Sequence, residues 1–229
     1  GDVYKRQALP PGHGIMVIRK IVTGFYCRAA SFGRAGRRYG QPRERNRQAE
    51  KSNAKGVIFV LNEKVVTLLN TQINKEFFSA YLYLDIANYY KEEGLDGFSN
   101  WYQIQAQEER DHAMLFLQYL QNNNEKIVLE AIAKPGTKFS DLIGPAKAAL
   151  AHEQYVTNSI HTIYDEAYSV KDFRTMQFLD WFVKEQGEEE TNAENLIKKI
   201  ELFGSDSKGL YLLDQELAGR VYAAPSLVL

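Results

Sequence analysis

The sequence predicts an all-α fold, an antiparallel four-helix bundle with one long crossover and a short fifth helix at the C-terminus. In four long segments, apolar residues alternate at spacings of three and four, as they do where a helix buries one face in a bundle. Two of the links between these segments are short and one is long. No segment has the alternating pattern of a β-strand.

The first two predicted helices run from Asn62 to about Glu92 and from near Asp96 to Asn122. Strong helix formers fill the first segment, and Gly94 is the first Gly or Pro after it, which predicts a helix end at that point. Because only a few residues join the two helices, we expect them to be antiparallel neighbours.

The third predicted helix follows Ser140 or Asp141. Its first residue is ambiguous in the sequence, because Gly144 and Pro145 disturb the first turns of a helix.

The fourth predicted helix opens at Asp172, a suitable N-cap residue, and ends at Phe203. A short amphipathic helix is predicted at residues 210–218. The link between the second and third helices, residues 123–139, is too long for a turn between neighbours, so we interpret it as the crossover of the bundle.

The composition excludes several classes of protein. With one cysteine, Cys27, the chain can form no intrachain disulfide and no cysteine-based zinc or iron–sulfur site. No apolar run approaches the roughly 20 residues that a membrane-spanning helix needs. We therefore predict a cytoplasmic protein without a membrane partner.

Charge is divided unevenly along the chain. Residues 1–59 contain thirteen Lys and Arg against three Asp and Glu, whereas residues 60–229 contain fifteen against twenty-six. Gly, Pro and Arg occur without period in the first segment, which predicts no helix or strand of useful length. We interpret residues 1–59 as a basic irregular leader outside the mature fold, with translation beginning at Val60. A basic arm that binds nucleic acid and an organellar transit peptide are the alternatives.

Polar residues interrupt each of the four long apolar faces at about mid-length. They are Glu76, Glu109, His112, Glu153, Gln186 and Glu189. In an antiparallel bundle these positions lie at one level, where unpaired buried charges would each cost several kcal/mol. A metal ion would supply the missing positive charge, and carboxylate with imidazole suits iron or manganese. Alternatively, these residues face solvent or share protons in a polar network.

The spacing of Glu109 and His112 favours a dinuclear metal site. Residues three apart on a helix are separated by about 60° around its axis, so both side chains can reach one ion. Di-iron bundles carry Glu-x-x-His on two helices and a single Glu on each of the others. Here Gln186 and Glu189 replace the second pair, which predicts two unequal metal positions.

Five segments of residues 60–229 together resemble bacterial non-haem ferritins. They are NKEFFSAYLY, AQEERDH, AHEQ, FVKEQGEEE and GLYLLDQEL. The resemblance extends over the whole of residues 60–229 and implies that these residues form one ferritin-like domain.

The resemblance also implies a di-iron centre within each subunit. By the family pattern, Glu76, Glu109 and His112 are ligands of one iron. Glu109 bridges to a second iron, which Glu153 and, more loosely, Glu189 hold.

Further residues acquire roles from the same resemblance. Gln186 matches the family's Gln beside the dioxygen site, and Tyr83 matches its redox tyrosine, with a core aromatic as the alternative for Tyr83. Glu108, Glu185 and Glu188 resemble the ligands of a third iron site that leads inward. A charged, solvated helix face would explain these three glutamates as well.

The function implied by the resemblance is iron storage with ferroxidase activity. Fe(II) would be oxidised by dioxygen, and Fe(III) would be stored as an oxyhydroxide mineral inside a homo-oligomeric shell of 24 subunits. The expected partners are therefore other copies of the chain, iron ions and dioxygen, and nucleic acid is not expected. Arg110 stands where haem-binding relatives have Met, so we expect no haem.

Three other functions compete with this one. A rubrerythrin-like peroxidase would need a second Glu-x-x-His and a cysteine-rich iron module. A DNA-protecting mini-ferritin would use residues 1–59 as a basic arm, but such proteins build the metal site between subunits. A purely structural bundle would bind no metal.

Overall fold

The computed structural model describes residues 61–136 and 138–229, and the predicted leader and the predicted start at Val60 lie outside them. The five helices described are α1 (Glu63–Glu92), α2 (Asp96–Asn122), α3 (Gly144–Ser169), α4 (Phe173–Phe203) and α5 (Ser207–Ala218). α1 packs against α2 and α3, α3 packs against α4, and α5 contacts α2 and α4. The predicted bundle with a fifth helix is confirmed, and no strand occurs within the described ranges.

The turn between α1 and α2 is as tight as the sequence predicts. Gly94 adopts a left-handed conformation with φ 79°, which glycine tolerates better than other residues. The Leu95 N–H donates to Tyr90 O at 2.9 Å, and the Gly94 N–H donates to Lys91 O at 3.2 Å. These two bonds form a Schellman motif, which satisfies carbonyls at the end of α1 and turns the chain into α2.

The structure resolves the ambiguous start of α3. This helix begins at Gly144, three to four residues later than Ser140 or Asp141, and Pro145 lies in its first turn. Proline lacks an N–H group and is favoured in the first turn, where that group would have no partner in the helix.

α5 begins at Ser207, three residues earlier than predicted, because the Asp206 side chain accepts a hydrogen bond from Gly209 N.

The crossover lies along α1. Asn70 donates from Nδ2 to Lys126 O at 3.1 Å and accepts at Oδ1 from Val128 N at 2.7 Å. One turn further along the helix, Asn74 donates to the carbonyls of Glu130 and Ala131. Side-chain amides of α1 therefore satisfy the backbone of a segment that has no secondary structure of its own.

Two apolar clusters fill the bundle on either side of a polar level. One contains Leu69, Phe116, Ile160, Phe178 and their neighbours. The other contains Tyr90, Phe98, Ala149, Leu196 and their neighbours. Each of the four long helices carries one or two of the six predicted polar residues. Along each helix these lie between residues of one cluster and residues of the other. None of the described helices combines the length and the apolarity needed to cross a bilayer.

Candidate metal centre

The six polar residues predicted to meet inside the bundle do meet there. Glu76 comes from α1, Glu109 and His112 from α2, Glu153 from α3, and Gln186 and Glu189 from α4. Each of them is at most 8% exposed. The alternative in which they face solvent is therefore wrong.

Two groups of possible metal ligands overlap at one carboxylate. Ligand atoms of Glu76, Glu109 and His112 lie within 4.8 Å of one another, and so do those of Glu109, Glu153 and Glu189. Glu109 belongs to both groups. This arrangement can hold two cations with one carboxylate between them, and the two positions differ because only one includes an imidazole.

Two buried polar atoms in the first group have no hydrogen-bond partner within the described part of the chain. They are Glu76 Oε2 and His112 Nδ1. His112 Nδ1 lies 3.5 Å from Glu109 Oε2, which is too long for a good hydrogen bond. Buried atoms left in this way cost about 1–3 kcal/mol each. A cation bound between them would satisfy both, and oxygen with imidazole nitrogen is a donor set that fits iron.

Amide side chains that sequence reasoning missed hold the carboxylates in place. Gln72 donates to Glu76 Oε1 at 2.7 Å, and Ser159 in turn donates to Gln72 Oε1 at 2.6 Å. Gln105 Nε2 donates to Glu109 Oε1 and to Glu189 Oε2, both at 2.9 Å. Gln72 and Gln105 lie four residues before Glu76 and Glu109, a spacing that could have identified them in the sequence.

Burial and mutual repulsion keep protons on part of the centre. Burial raises the pKa of Glu76 to about 8, and the carboxylate of Glu109 adds to this shift. Burial likewise raises the pKa of Glu153 to about 7, with Glu109 again contributing. The pKa of Glu189 lies well above its usual range, because it is buried and faces Glu109 and Glu153. A cation that binds here would displace these protons.

Glu109 and His112 form the charged pair of the centre. Burial opposes the ionised form of Glu109, but contact with His112 outweighs it and holds the pKa of this carboxyl below its usual range. Burial also opposes the charged imidazole, yet Glu109 and Glu76 raise the pKa of His112 to about 9. Without metal, His112 therefore carries the positive charge that a cation would replace.

The tyrosine and the glutamine predicted beside the metals both contact Glu153. The Tyr83 hydroxyl donates to Glu153 Oε1, and Gln186 Nε2 donates to Glu153 Oε2 at 3.1 Å. Tyr83 is 1% exposed, and its pKa lies well above its usual range because of burial and the nearby Glu153. Its hydroxyl therefore stays protonated and can serve as a hydrogen-bond donor within the centre.

Glu108, Glu185 and Glu188, the predicted ligands of a third iron site, line one cavity of about 240 Å³ beside the centre. Ligand atoms of Glu185 lie within 4.8 Å of those of His112 and Glu189. Glu108 instead pairs with Arg220 at 2.5 Å, and the exposed Glu188 pairs with Lys184 at 3.2 Å. The structure thus brings Glu185 to the centre and gives Glu108 and Glu188 protein partners.

Comparisons with known proteins agree with the helical bundle. The profile of the family described as Ferritin-like domain matches residues 66–203. Bacterial non-heme ferritins of Campylobacter jejuni and Staphylococcus epidermidis are 38% and 37% identical, over 68% and 71% of this chain and 93% and 98% of theirs. An open pore ferritin from Archaeoglobus fulgidus has a similar structure, with 40% identity and a TM-score of 0.70 over 72% of this chain and 100% of its own. A closed form engineered from the A. fulgidus ferritin also reaches a TM-score of 0.70 at 40% identity, over 71% of this chain and 99% of its own.

Proposed function

The chain belongs to the ferritin-like domain family, and from this premise we propose that it is an iron-storage protein that oxidises Fe(II) with dioxygen at the buried centre. The observation that carries the proposal is the pair of ligand groups sharing Glu109, with unpartnered atoms on Glu76 and His112. A structural bundle would gain nothing by burying four carboxyl groups at one level, since each must either keep a proton or be paired with a positive charge to avoid a cost of several kcal/mol.

The residues of the centre suit the oxidation of two Fe(II) substrates side by side. Each Fe(II) would lose one electron to dioxygen, and the two electrons with two protons would reduce dioxygen to hydrogen peroxide. Glu76, Glu109 and His112 would hold one iron, while Glu109, Glu153 and Glu189 would hold the other. Binding releases the protons held by Glu76, Glu153 and Glu189, so the carboxylates become charged only when a cation compensates them.

Gln186 and Tyr83 would orient Glu153 from two sides during this reaction. Each donates a hydrogen bond to a different oxygen of that carboxylate. Fixing a ligating carboxylate in this way preorganises a metal site and raises its affinity.

Storage would follow when Fe(III) leaves the centre for the adjacent cavity. Glu185 lines this cavity, and its ligand atoms lie close to those of His112 and Glu189. We propose that the mineral forms inside a cytoplasmic shell of 24 copies, and the acidic balance of residues 60–229 would draw cations towards it.

Substitution of the shared carboxylate tests the proposal. Full-length wild type, Glu109→Ala and the exposed control Glu201→Ala are loaded with Fe(II) without oxygen, air is admitted, and Fe(III) formation is followed by absorbance. We expect Glu109→Ala to oxidise iron at least about tenfold more slowly than wild type, because both iron positions lose a ligand. Glu201→Ala should match wild type. Equal rates in all three proteins would refute the proposed centre.

A further inference from the structure

The C-terminal segment after α5 folds back across the bundle beside the candidate centre. We call residues 220–226 the C-terminal strap. Asn100 of α2 donates to the Arg220 carbonyl at 3.1 Å, and the Tyr222 hydroxyl donates to Asp111 at 2.5 Å. At the far end, Trp181 of α4 donates from Nε1 to the Ser226 hydroxyl at 2.9 Å. The strap therefore connects α2 to α4 and is held mainly by side-chain contacts.

Arg220 is the most extensively bonded residue of the strap. Its Nη2 atom lies 2.5 Å from Glu108 Oε2, and its Nη1 atom donates to Gln105 Oε1 at 3.1 Å and to Trp101 O at 3.2 Å. The guanidinium also lies over the Trp101 ring, 4.2 Å from its centroid. The side chains of Arg220 and Glu108 are 17% and 19% exposed, so this ion pair is only partly accessible to solvent.

Strap and acidic residues enclose the same cavity. Its wall includes Ala223 to Ser226 of the strap and Glu108, Glu185, Glu188 and Glu189 of the bundle. Among the described residues that line it, Arg220 is the one Lys or Arg. His112 and Glu189 of the buried centre also line this cavity, and ligand atoms of Glu185 lie within 4.8 Å of theirs, so the cavity adjoins the centre through a group of possible metal ligands.

We propose that the C-terminal strap is a displaceable cover over this cavity, and that the Arg220 guanidinium occupies the position of a cation at Glu108 until a metal ion replaces it. The proposal rests on the proposed function, since the displacing ion would be iron leaving the buried centre. Both cations need the same carboxylate, so each weakens the binding of the other.

Displacement of Arg220 would also reach the buried centre. Gln105 accepts from Arg220 through Oε1 and donates through Nε2 to Glu109 and Glu189. When Arg220 leaves, Oε1 loses its donor, and the amide is free to turn away from the two carboxylates. Binding of an ion in the cavity would thereby loosen Glu109 and Glu189, the ligands of the centre from which that ion came.

Terbium(III) binding tests the competition without iron chemistry. Tb³⁺ prefers oxygen ligands, and its emission is sensitised by a nearby Trp. Trp181 lines the cavity and Trp101 stacks on Arg220, and these are the two Trp of the chain. Full-length wild type, Arg220→Gln and the control Arg174→Gln, whose parent Arg is exposed at the start of α4 and donates to Asn123, are titrated with Tb³⁺.

We expect Arg220→Gln to bind Tb³⁺ at least about fivefold more tightly than wild type, because the competing cation is gone. Arg174→Gln should match wild type. Glu108→Gln should weaken Tb³⁺ binding. The double variant Glu108→Gln with Arg220→Gln should regain little of that affinity, since the carboxylate for which Arg220 and the metal compete is absent. Equal affinities of wild type and Arg220→Gln would overturn the proposal.

Hydrogen exchange tests the movement of the strap and guards against misfolded variants. In the wild type, saturating Tb³⁺ should increase amide exchange in residues 220–226 and leave the α1 core unchanged. Tb³⁺ that binds while the strap keeps its protection would refute the cover. Failure of the proposed function is distinguishable: wild type and Glu109→Ala would then oxidise iron equally, whatever Arg220→Gln does to Tb³⁺ binding.

Discussion

Gln105 couples three carboxylates and one guanidinium through a single amide. Its nitrogen donates to Glu109 and Glu189, and its oxygen accepts from Arg220, which itself pairs with Glu108. An amide that uses both its donor and its acceptor sides has one favoured orientation, so this residue sets the directions in which the carboxylates point.

Gln105→Met removes these hydrogen bonds while keeping a side chain of similar length. Glu109 and Glu189 then lose a shared donor, and we expect Fe(II) oxidation to slow by about tenfold, as for other residues that orient metal ligands. Stopped-flow absorbance after mixing with aerated Fe(II) measures the rate. Gln118→Met, at an exposed position of the same helix, serves as the control. An unchanged rate in Gln105→Met would mean that the Gln105 amide is not needed to orient Glu109 and Glu189.

The protons of the metal-free centre should make its stability depend on pH. In the unfolded chain Glu76 and Glu153 titrate near 4.5, whereas in the folded chain their pKa values are about 8 and 7. The folded state therefore binds more protons between these values, and its free energy of unfolding falls as pH rises. The raised pKa of His112, about 9 against 6.5, acts in the same direction: its contribution is complete below pH 6.5 and is lost as pH rises through 9.

We expect the free energy of unfolding of the metal-free protein to fall from pH 4.5 to 9, by on the order of 1 kcal/mol per pH unit for each proton lost. Glu76→Gln imitates the protonated carboxyl, so it should flatten the slope and raise the thermal midpoint at the alkaline end. Calorimetry across pH measures both, with Glu201→Gln as the exposed control. A slope that Glu76→Gln leaves unchanged would contradict the raised pKa.

The predictability of the site differs from residue to residue for physical reasons. Glu76, Glu109 and Glu153 interrupt apolar helix faces, and the helical repeat alone brings them to one level. Arg220 carries no such signal, because it lies in irregular chain after α5 and reaches Glu108 through tertiary folding across 112 residues. The sequence predicted Glu108 and Glu188 as solvated or metal-bound. It could not reveal the distant Arg220 as the partner of Glu108, whereas Lys184 lies four residues before Glu188 on α4, a spacing at which helical side chains meet.

At the scale of elements, α5 provides the side-chain N-cap acceptor that the start of α2 lacks. The N-cap residue of α2 is Leu95, which has no side-chain cap. Asp214 of α5 accepts instead from Gly97 N at 2.7 Å and from Phe98 N at 3.1 Å. A Cβ atom on Gly97 would lie 1.7 Å from Asp214 O, so only glycine permits this approach.

Asp214→Ala should therefore destabilise the protein by about 1–3 kcal/mol, because two buried N–H groups of α2 lose their acceptor. Chemical denaturation measures the loss, and hydrogen exchange should locate it in α5 and the first turn of α2. Gln215→Ala, exposed on the same helix, should change little. A loss spread evenly over α1 to α4 would argue against the capping role.

The helix ends follow the same division between local and tertiary causes. α1, α2 and α4 end where the sequence predicts. The left-handed residues Gly94 and Asn124 act locally at the ends of α1 and α2. The start of α3 depends on whether Pro145 occupies the first turn or interrupts a longer helix. The sequence permits both, and in the structure Asp141 Oδ1 accepts from the Gly144 N–H at 2.7 Å where the helix begins.

At the scale of the whole molecule, an apolar face of the bundle lies open to solvent. Tyr81 and Leu84, three residues apart on α1, are 51% and 45% exposed, and Leu129 and Ile132 of the crossover are 66% and 46% exposed. Phe77 joins the two sets, since it lines a cavity with Leu129 and Ile132. A contiguous exposed apolar patch of this kind is typical of a contact between subunits.

The proposed shell of 24 copies should depend on this face. Tyr81→Glu combined with Leu84→Glu would place two carboxylates in a contact that excludes water, at a cost of several kcal/mol. Because each copy repeats the defect, we expect light scattering after size exclusion to find subassemblies or single chains in place of the shell, with unchanged helical circular dichroism. Gln118→Glu combined with Gln121→Glu adds the same charge at exposed polar positions of α2 and should leave the assembly intact. If the first variant assembles like wild type, the subunit contact lies elsewhere, and the open apolar face of α1 needs another occupant.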